Sequence, residues 1–250
     1  MTLPTAFLDR PIAHRALHDK GDGRPENSLA AVRAAVAAGY GIEIDLQLSS
    51  DGVAMVFHDY GLTRLTGETG PIQQRTAAEL AAIPLLGGTE GVPTLAQVLQ
   101  DVAGKVPLLI ELKDQDGALG PNVGTLERAA AADLAGYDGP VALMSFNPHS
   151  VIALADLCPD LPRGLTTEQF TKADWPTVPA ATRDRLSGIP DYAQTGACFV
   201  SHHWRDLNDP RVADLQAAGA AVLCWTIRSP EEEAEARKVA ANITFEGYLP

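Results

Sequence analysis

The chain of 250 residues carries 19 Lys plus Arg against 32 Asp plus Glu, a formal net charge of −13, and 46% of it is hydrophobic. That is enough apolar material for one sizeable core, and the acidic balance argues against partners held through a nucleic-acid backbone or an anionic membrane surface. The opening residues show no basic segment followed by an apolar one, no apolar run reaches spanning length, and Cys158, Cys198 and Cys224 stand far apart without CxxC spacing; the expectation is one cytoplasmic domain over residues 1–250, with reduced thiols and neither a disulfide framework nor a zinc knuckle.

Pro11-Ile12-Ala13 leads straight into His14-Arg15, which reads as a first strand with two polar side chains at its C-terminal end. In α/β folds that end carries the chemistry. After a charged loop, Pro25-Glu26-Asn27-Ser28 opens an alanine-rich helix running to about Ala38 and closed by Gly39. The next strand, Ile42 to Leu48, holds Glu43 and Asp45 at i, i+2, so both carboxylates share one face of an otherwise apolar segment. Buried carboxylates are costly unless compensated, and a cation is the simplest partner. Ser50-Asp51-Gly52 reads as a turn, and Val53 to Phe57 as a short strand delivering His58-Asp59, with Asp59 orienting His58 or turning the chain.

Residues 60–92 break the alternation with turn residues and only a short helical piece near Thr76 to Ala82, and read as a small insertion after the second strand, a lid or a mere connection. Pro93-Thr94 starts a helix to about Val102. Val106 to Lys113 is a strand ending in Glu111 and Lys113, again at i, i+2. Helices from about Gly124 and from His149 flank a strand at Pro140 to Met144, and a short strand follows near Arg163. Residues 167–194 look irregular. A strand from Ala197 to Ser201 leads into His202-His203, and a helix runs from Pro210. The strand from Ala221 reaches Trp225, a helix spans Ser229 to Ala241, and Asn242 to Phe245 is the last strand. Strands beginning near residues 11, 42, 107, 140, 163, 197, 221 and 242 make eight, the pattern of a (β/α)8 TIM barrel. A doubly wound open sheet is the alternative, weakened by the lack of GxGxxG after the first strand.

In a barrel these strand ends share one face, so His14, Arg15, Glu43, Asp45, Glu111 and Lys113 would converge. Three carboxylates without a cysteine suit one hard divalent cation, Mg²⁺ or Ca²⁺. The competing account is a set of buried ion pairs, Glu43 with Arg15 and Glu111 with Lys113, which leaves Asp45 unexplained. His14 and His58 would bracket a reacting atom, one taking a proton and one giving it, since an imidazole pKa of about 6.5 suits both roles. Arg15 and Lys113 would contact phosphate or carboxylate. Trp225 would wall the pocket or cap the core, while His18, His202 and His203 are expected to be peripheral.

His14-Arg15, Pro25-Glu26-Asn27-Ser28, Glu43-Ile44-Asp45, Ser50-Asp51-Gly52, His58-Asp59, Pro93-Thr94-Leu95 and Glu111-Leu112-Lys113, in that order, resemble the signature of glycerophosphodiester phosphodiesterases. The likeness is sharp over residues 12–113 and general beyond. It implies a (β/α)8 barrel with a small insertion after the second strand, one cation on Glu43, Asp45 and Glu111, and His14 with His58 as the acid/base pair. It further implies Arg15 and Lys113 on the phosphate, Glu26 facing the site, and a small-molecule glycerophosphodiester split into sn-glycerol 3-phosphate and an alcohol. A lysophospholipid- or sugar-phosphodiester-cleaving relative and a non-catalytic barrel binding a phosphorylated metabolite are the alternatives. The chain departs from the family pattern at Ala16, where glycine is usual, and at Glu246-Gly247-Tyr248, where a Thr-Asp-Xaa-Pro ending is common.

Overall fold

The computed structural model describes residues 1–250. Its strands are β1 Ile12–Ala13, β2 Gly41–Leu48, β3 Ala54–Val56, β4 Leu108–Leu112, β5 Val141–Ser145, β6 Arg163–Thr167, β7 Phe199–His203, β8 Ala221–Ile227 and β9 Asn242–Phe245. All except β3 run parallel in the order β1-β2-β4-β5-β6-β7-β8-β9, and β9 pairs back onto β1 with Ile12 opposite Thr244, which closes a (β/α)8 barrel. β3 lies outside this ring as an antiparallel partner of the upper part of β2, Leu46 opposite Val56.

The helices, in chain order, are α1 Ala6–Asp9, α2 Leu29–Ala38, α3 Thr63–Thr66, α4 Ala77–Ala82, α5 Leu95–Val102, α6 Thr125–Leu134, α7 Pro148–Leu157, α8 Ala180–Ser187, α9 Tyr192–Thr195, α10 Pro210–Ala217 and α11 Pro230–Ala236. Local chemistry fixes their starts. Ser28 accepts from the Ala31 amide at the head of α2, and Thr76 with Glu79 and Thr94 with Gln97 form capping boxes on α4 and α5, each cap contributing about 1 kcal/mol.

Alternation along the strands sorts side chains between two cores. Ile42, Ile44, Leu46, Leu108, Ile110 and Leu112 point outward into the layer shared with the helices. Inside the barrel, Phe7, Ile12, Leu109, Met144, Phe199 and Leu223 form a separate apolar cluster. Phe7 comes from α1, whose existence the sequence rhythm did not suggest. Gly164 on β6 makes room for this filling, because a Cβ there would lie 2.4 Å from the Phe199 ring. Continuing up β2 and β4, the inward positions change from apolar Leu109 to Glu43, Asp45, Glu111 and Lys113.

Residues 60–92 are not a structureless connection. α3, the 3₁₀ turn Ile72–Gln74 and α4 enclose Met55, Phe57, Leu62, Leu65, Ile72 and Leu80 in a core of their own. The irregular reading of 167–194 is also corrected. α8 and α9 form there, and Phe170, Val178 and Leu186 pack with Leu119, so burial of widely spaced apolar residues organises a stretch with no clear periodicity. β7 continues through His202 and His203, and α11 ends at Ala236, five residues earlier than expected from its alanine and glutamate content.

Candidate active site

Glu43, Asp45 and Glu111 meet because of strand register. Asp45 lies directly opposite Glu111 on the neighbouring strand, and Glu43 is one inward step below Asp45. One oxygen from each carboxylate falls within 4.8 Å of the others, and the residues are 2%, 1% and 6% exposed. Lys113 Nζ reaches Asp45 Oδ1 at 2.9 Å and Glu111 Oε1 at 2.7 Å. Asn27, in the left-handed conformation at φ 58°, donates from Nδ2 to Asp45 Oδ2 at 2.9 Å. Glu43 is different: it accepts from the Arg15 backbone amide at 2.8 Å and pairs with no cationic side chain. Burial, then the charges of Asp45 and Glu111, push its carboxyl well above the usual range. Burial works against ionisation of Asp45 too, but Lys113, His58 and Arg15 hold it below the usual range.

The ion pairs of the competing account are therefore only partly present. Lys113 serves Asp45 as well as Glu111, whereas the Arg15 side chain turns to Glu26 (2.7 Å) and Asp45 (3.5 Å) rather than to Glu43. A buried carboxylate with only an amide donor, beside two more carboxylates, is a deficit of positive charge. The all-oxygen set fits one hard divalent cation.

His14 and His58 line one cavity of about 170 Å³ together with Arg15, Glu43, Asp45 and Glu111. Each imidazole is held by a carboxylate: His14 Nδ1 lies 2.6 Å from Glu246 Oε2, and His58 Nδ1 lies 2.7 Å from Asp59 Oδ1. With an anionic acceptor on Nδ1, that nitrogen carries the hydrogen and donates it, leaving Nε2 as the proton-accepting atom. Burial brings His14 down to about 4 despite the opposing effect of the hydrogen bond it donates to Glu246, so it is neutral near pH 7. Burial would raise Glu246, yet its hydrogen bond with His14 and the nearby His18 ring, 3.5 Å away, keep it well below the usual carboxylate range.

Glu26 is 8% exposed and does not line this cavity. It bridges Arg15 and Arg64, accepting from Arg64 Nη1 and Nη2 at 2.8 Å each. Arg64, from the insertion, also donates to Asp59 from Nε at 2.6 Å, so one guanidinium supports the partners of both His58 and Arg15. Sequence reasoning missed Arg64, Asn27 and Glu246. Asn27 sat within the Pro-Glu-Asn-Ser motif, and Glu246 at a strand end was a legible signal, whereas nothing marks Arg64 before the insertion folds. Ala16 is at φ 65°, in the left-handed region where glycine is unstrained, which explains why glycine suits that position and implies about 1 kcal/mol of strain here.

The small cavity opens into a second of about 730 Å³, with His58, Glu111, Lys113, Phe146 and Trp225 on both walls. Trp225 does wall the pocket, its Nε1 donating to the Ser201 carbonyl at 2.9 Å. Of the three histidines expected to be peripheral, His203 lines the larger cavity, while His202 is 1% exposed and shares a hydrogen bond with Thr167 Oγ1. His18 lines neither.

A parallel barrel that gathers carboxylates, basic groups and two imidazoles beside one cavity supplies the charge and proton transfer that a phosphate-ester reaction requires. The family model described as "Glycerophosphoryl diester phosphodiesterase family" matches residues 14–244. The Bacillus subtilis (strain 168) protein YhdW is 26% identical over 241 residues, covering 92% of this chain and 91% of its own. A solved Oleispira antarctica phosphodiesterase in complex with the product sn-glycerol-3-phosphate is 26% identical, with a TM-score of 0.78 over 96% of this chain and 94% of that one. A glycerophosphodiester phosphodiesterase structure from Parabacteroides distasonis ATCC 8503 is 25% identical, with a TM-score of 0.72 over 94% and 91%. The chain belongs to the glycerophosphoryl diester phosphodiesterase family and is an enzyme of the phosphoric diester hydrolase class.

Proposed function

We propose that this enzyme hydrolyses glycerophosphodiesters to sn-glycerol 3-phosphate and an alcohol, with His14 and His58 as the acid/base pair. The carrying observation is that both imidazoles face one cavity beside Glu43, Asp45 and Glu111, each with Nδ1 tied to a carboxylate and Nε2 free for proton transfer. One imidazole takes the proton from the glycerol hydroxyl next to the diester, and that oxygen attacks phosphorus. The other gives a proton to the departing alcohol oxygen. Water then opens the cyclic glycerol phosphate with the same pair in exchanged roles. Arg15 and Lys113 set fixed positive charge against the phosphoryl oxygens, where preorganised charge is most effective. Glu43, Asp45 and Glu111 would hold one divalent cation, Mg²⁺ or Ca²⁺, which supplies Lewis-acid stabilisation of phosphoryl charge.

Orientation of both imidazoles speaks against a non-catalytic binding barrel, which needs the charges but no acid/base pair. Exposed large apolar side chains are scattered, Met1, Tyr60, Leu86, Leu157 and Leu249, and no helix is long and apolar enough to cross a membrane. That supports a water-soluble diester over an aggregated lysophospholipid.

Glycerophosphodiesters incubated with enzyme stripped by EDTA, then with Mg²⁺ or Ca²⁺ restored, test the proposal by direct detection of sn-glycerol 3-phosphate. Activity lost on stripping and regained with either cation is expected. Full turnover in EDTA, or a phosphorylated alcohol as product, would contradict it.

A further inference from the structure

The larger cavity shares His58, Glu111, Lys113, Phe146 and Trp225 with the smaller one, so a group extending into it can remain attached to a phosphate held beside the imidazoles. Its walls are not those of a general polar cleft. Phe146 lies 5.1 Å from Trp175 and 5.5 Å from Trp225, centroid to centroid, with tilted or edge-on rings, and His203 continues the wall at 5.2 Å from Trp225. The three large rings come from three places, the end of β5, the segment after β6, and β8, and converge on one space. Phe170 backs them, 5.5 Å from Trp175 and 6.0 Å from Phe146.

Around these rings the charge is negative. Asp114, Glu168, Asp174 and Asp206 line the same cavity, and beyond Lys113 at the phosphate end the only cationic side chain lining it is Arg205, which is stacked on Trp204. Each of the four acids already holds a local donor: Asp114 the Asn147 amide, Glu168 the Trp175 indole, Asp174 the Thr171 hydroxyl, Asp206 the His203 ring. They fix the wall, and their carboxylates line the cavity.

Aromatic faces with surrounding carboxylates are the chemistry that recognises a quaternary ammonium, which has no N–H to give and is held by ring quadrupoles and diffuse negative charge. An anionic group is repelled by the acids, and a polyhydroxylated one, which can stack on the rings and donate to the carboxylates, lacks the positive charge that draws on both at once. We propose that this cavity is the leaving-alcohol subsite and selects glycerophosphodiesters whose alcohol bears a quaternary ammonium. The inference rests on the phosphodiesterase reading above and names the substrate class of that site. The contribution of Lys113, 6.0 Å from the Phe146 ring, ends at the phosphate: the same ring is shared between the basic inner site and the cation-binding outer one.

The test measures kcat/KM for four diesters sharing the glycerophosphate half and differing in the alcohol: choline, ethanolamine, glycerol and inositol. The wild type is expected to favour the choline diester over the glycerol diester by about tenfold or more, the scale of a desolvated cation–π site. Free choline should inhibit more strongly than its neutral isostere with carbon in place of nitrogen. In Trp175→Ala the choline-to-glycerol ratio should collapse towards one, Trp175→Phe should retain most of it, and Glu168→Gln, which keeps an acceptor for the indole, should lower it severalfold. Equal turnover of cationic and neutral diesters, a faster ethanolamine than choline diester, equal inhibition by choline and its isostere, or a preference that survives both Trp175→Ala and Glu168→Gln would overturn the inference. Absence of hydrolysis for all four diesters would instead remove the phosphodiesterase reading on which it stands.

Discussion

The Nδ1 atom of His14 lies 2.6 Å from Oε2 of Glu246, two residues 232 positions apart that meet because β9 closes onto β1. Glu246 also pairs with Arg228 at 2.7 Å, so its carboxylate is fixed from the far side and holds the imidazole in one tautomer. Glu246→Ala is expected to lower kcat by about ten- to hundredfold, part of what an oriented acid/base group contributes, with a much smaller change in KM. Glu246→Gln, still able to accept from Nδ1, should recover part of the loss. Steady-state kinetics of both variants decide it: unchanged kcat in Glu246→Ala removes the positioning role.

Arg64 ties the insertion to the barrel's chemistry. Its guanidinium donates to Asp59, which holds His58, and to Glu26, which holds Arg15. Arg64→Ala should therefore lower kcat through His58 and raise KM through Arg15, with kcat/KM falling about tenfold or more. Arg64→Lys should rescue little, because an ammonium lacks the fork that spans two carboxylates. A lower melting temperature with kcat and KM intact would mean that the bridge serves folding alone.

His202 sets a pH dependence of stability away from the reacting groups. Burial lowers it from 6.5 to about 4, and its Nε2 has no hydrogen-bond partner. The unfolded chain thus binds a proton that the folded one does not as pH falls from about 6.5 to about 4. Stability is lost across that window, by up to about 3 kcal/mol for this one group, and is fully present above it. Urea unfolding of wild type and His202→Asn at pH 7.5 and pH 4.5 checks this, since titrating carboxylates common to both cancel in the difference. The variant should lose less stability on acidification; an equal loss would show that His202 is protonated within the fold.

Strand positions and the charged strand ends were readable because parallel strands impose short apolar runs, and because Glu43, Asp45 and Glu111 violate those runs at inward positions. Periodicity is silent on what closure brings together. Glu246 reaches His14 through pairing of the first and last strands, Asn27 reaches Asp45 through a left-handed residue, and Glu26 turns to two arginines rather than into the cavity. Of the aromatic wall only Trp225 was anticipated, and the rest was missed for a related reason. Phe146, Trp175 and Trp225 are isolated in sequence, and two of the three follow strands 5 and 6 in connections that carry no repeat.

The central claim is that two carboxylate-held imidazoles exchange protons across the phosphodiester, and turnover of His14→Ala and His58→Ala tests it most directly. With glycerophosphocholine and Mg²⁺ or Ca²⁺ present, each variant is expected to lose at least about a hundredfold in kcat while remaining folded by circular dichroism. Wild-type turnover in either folded variant would contradict the account.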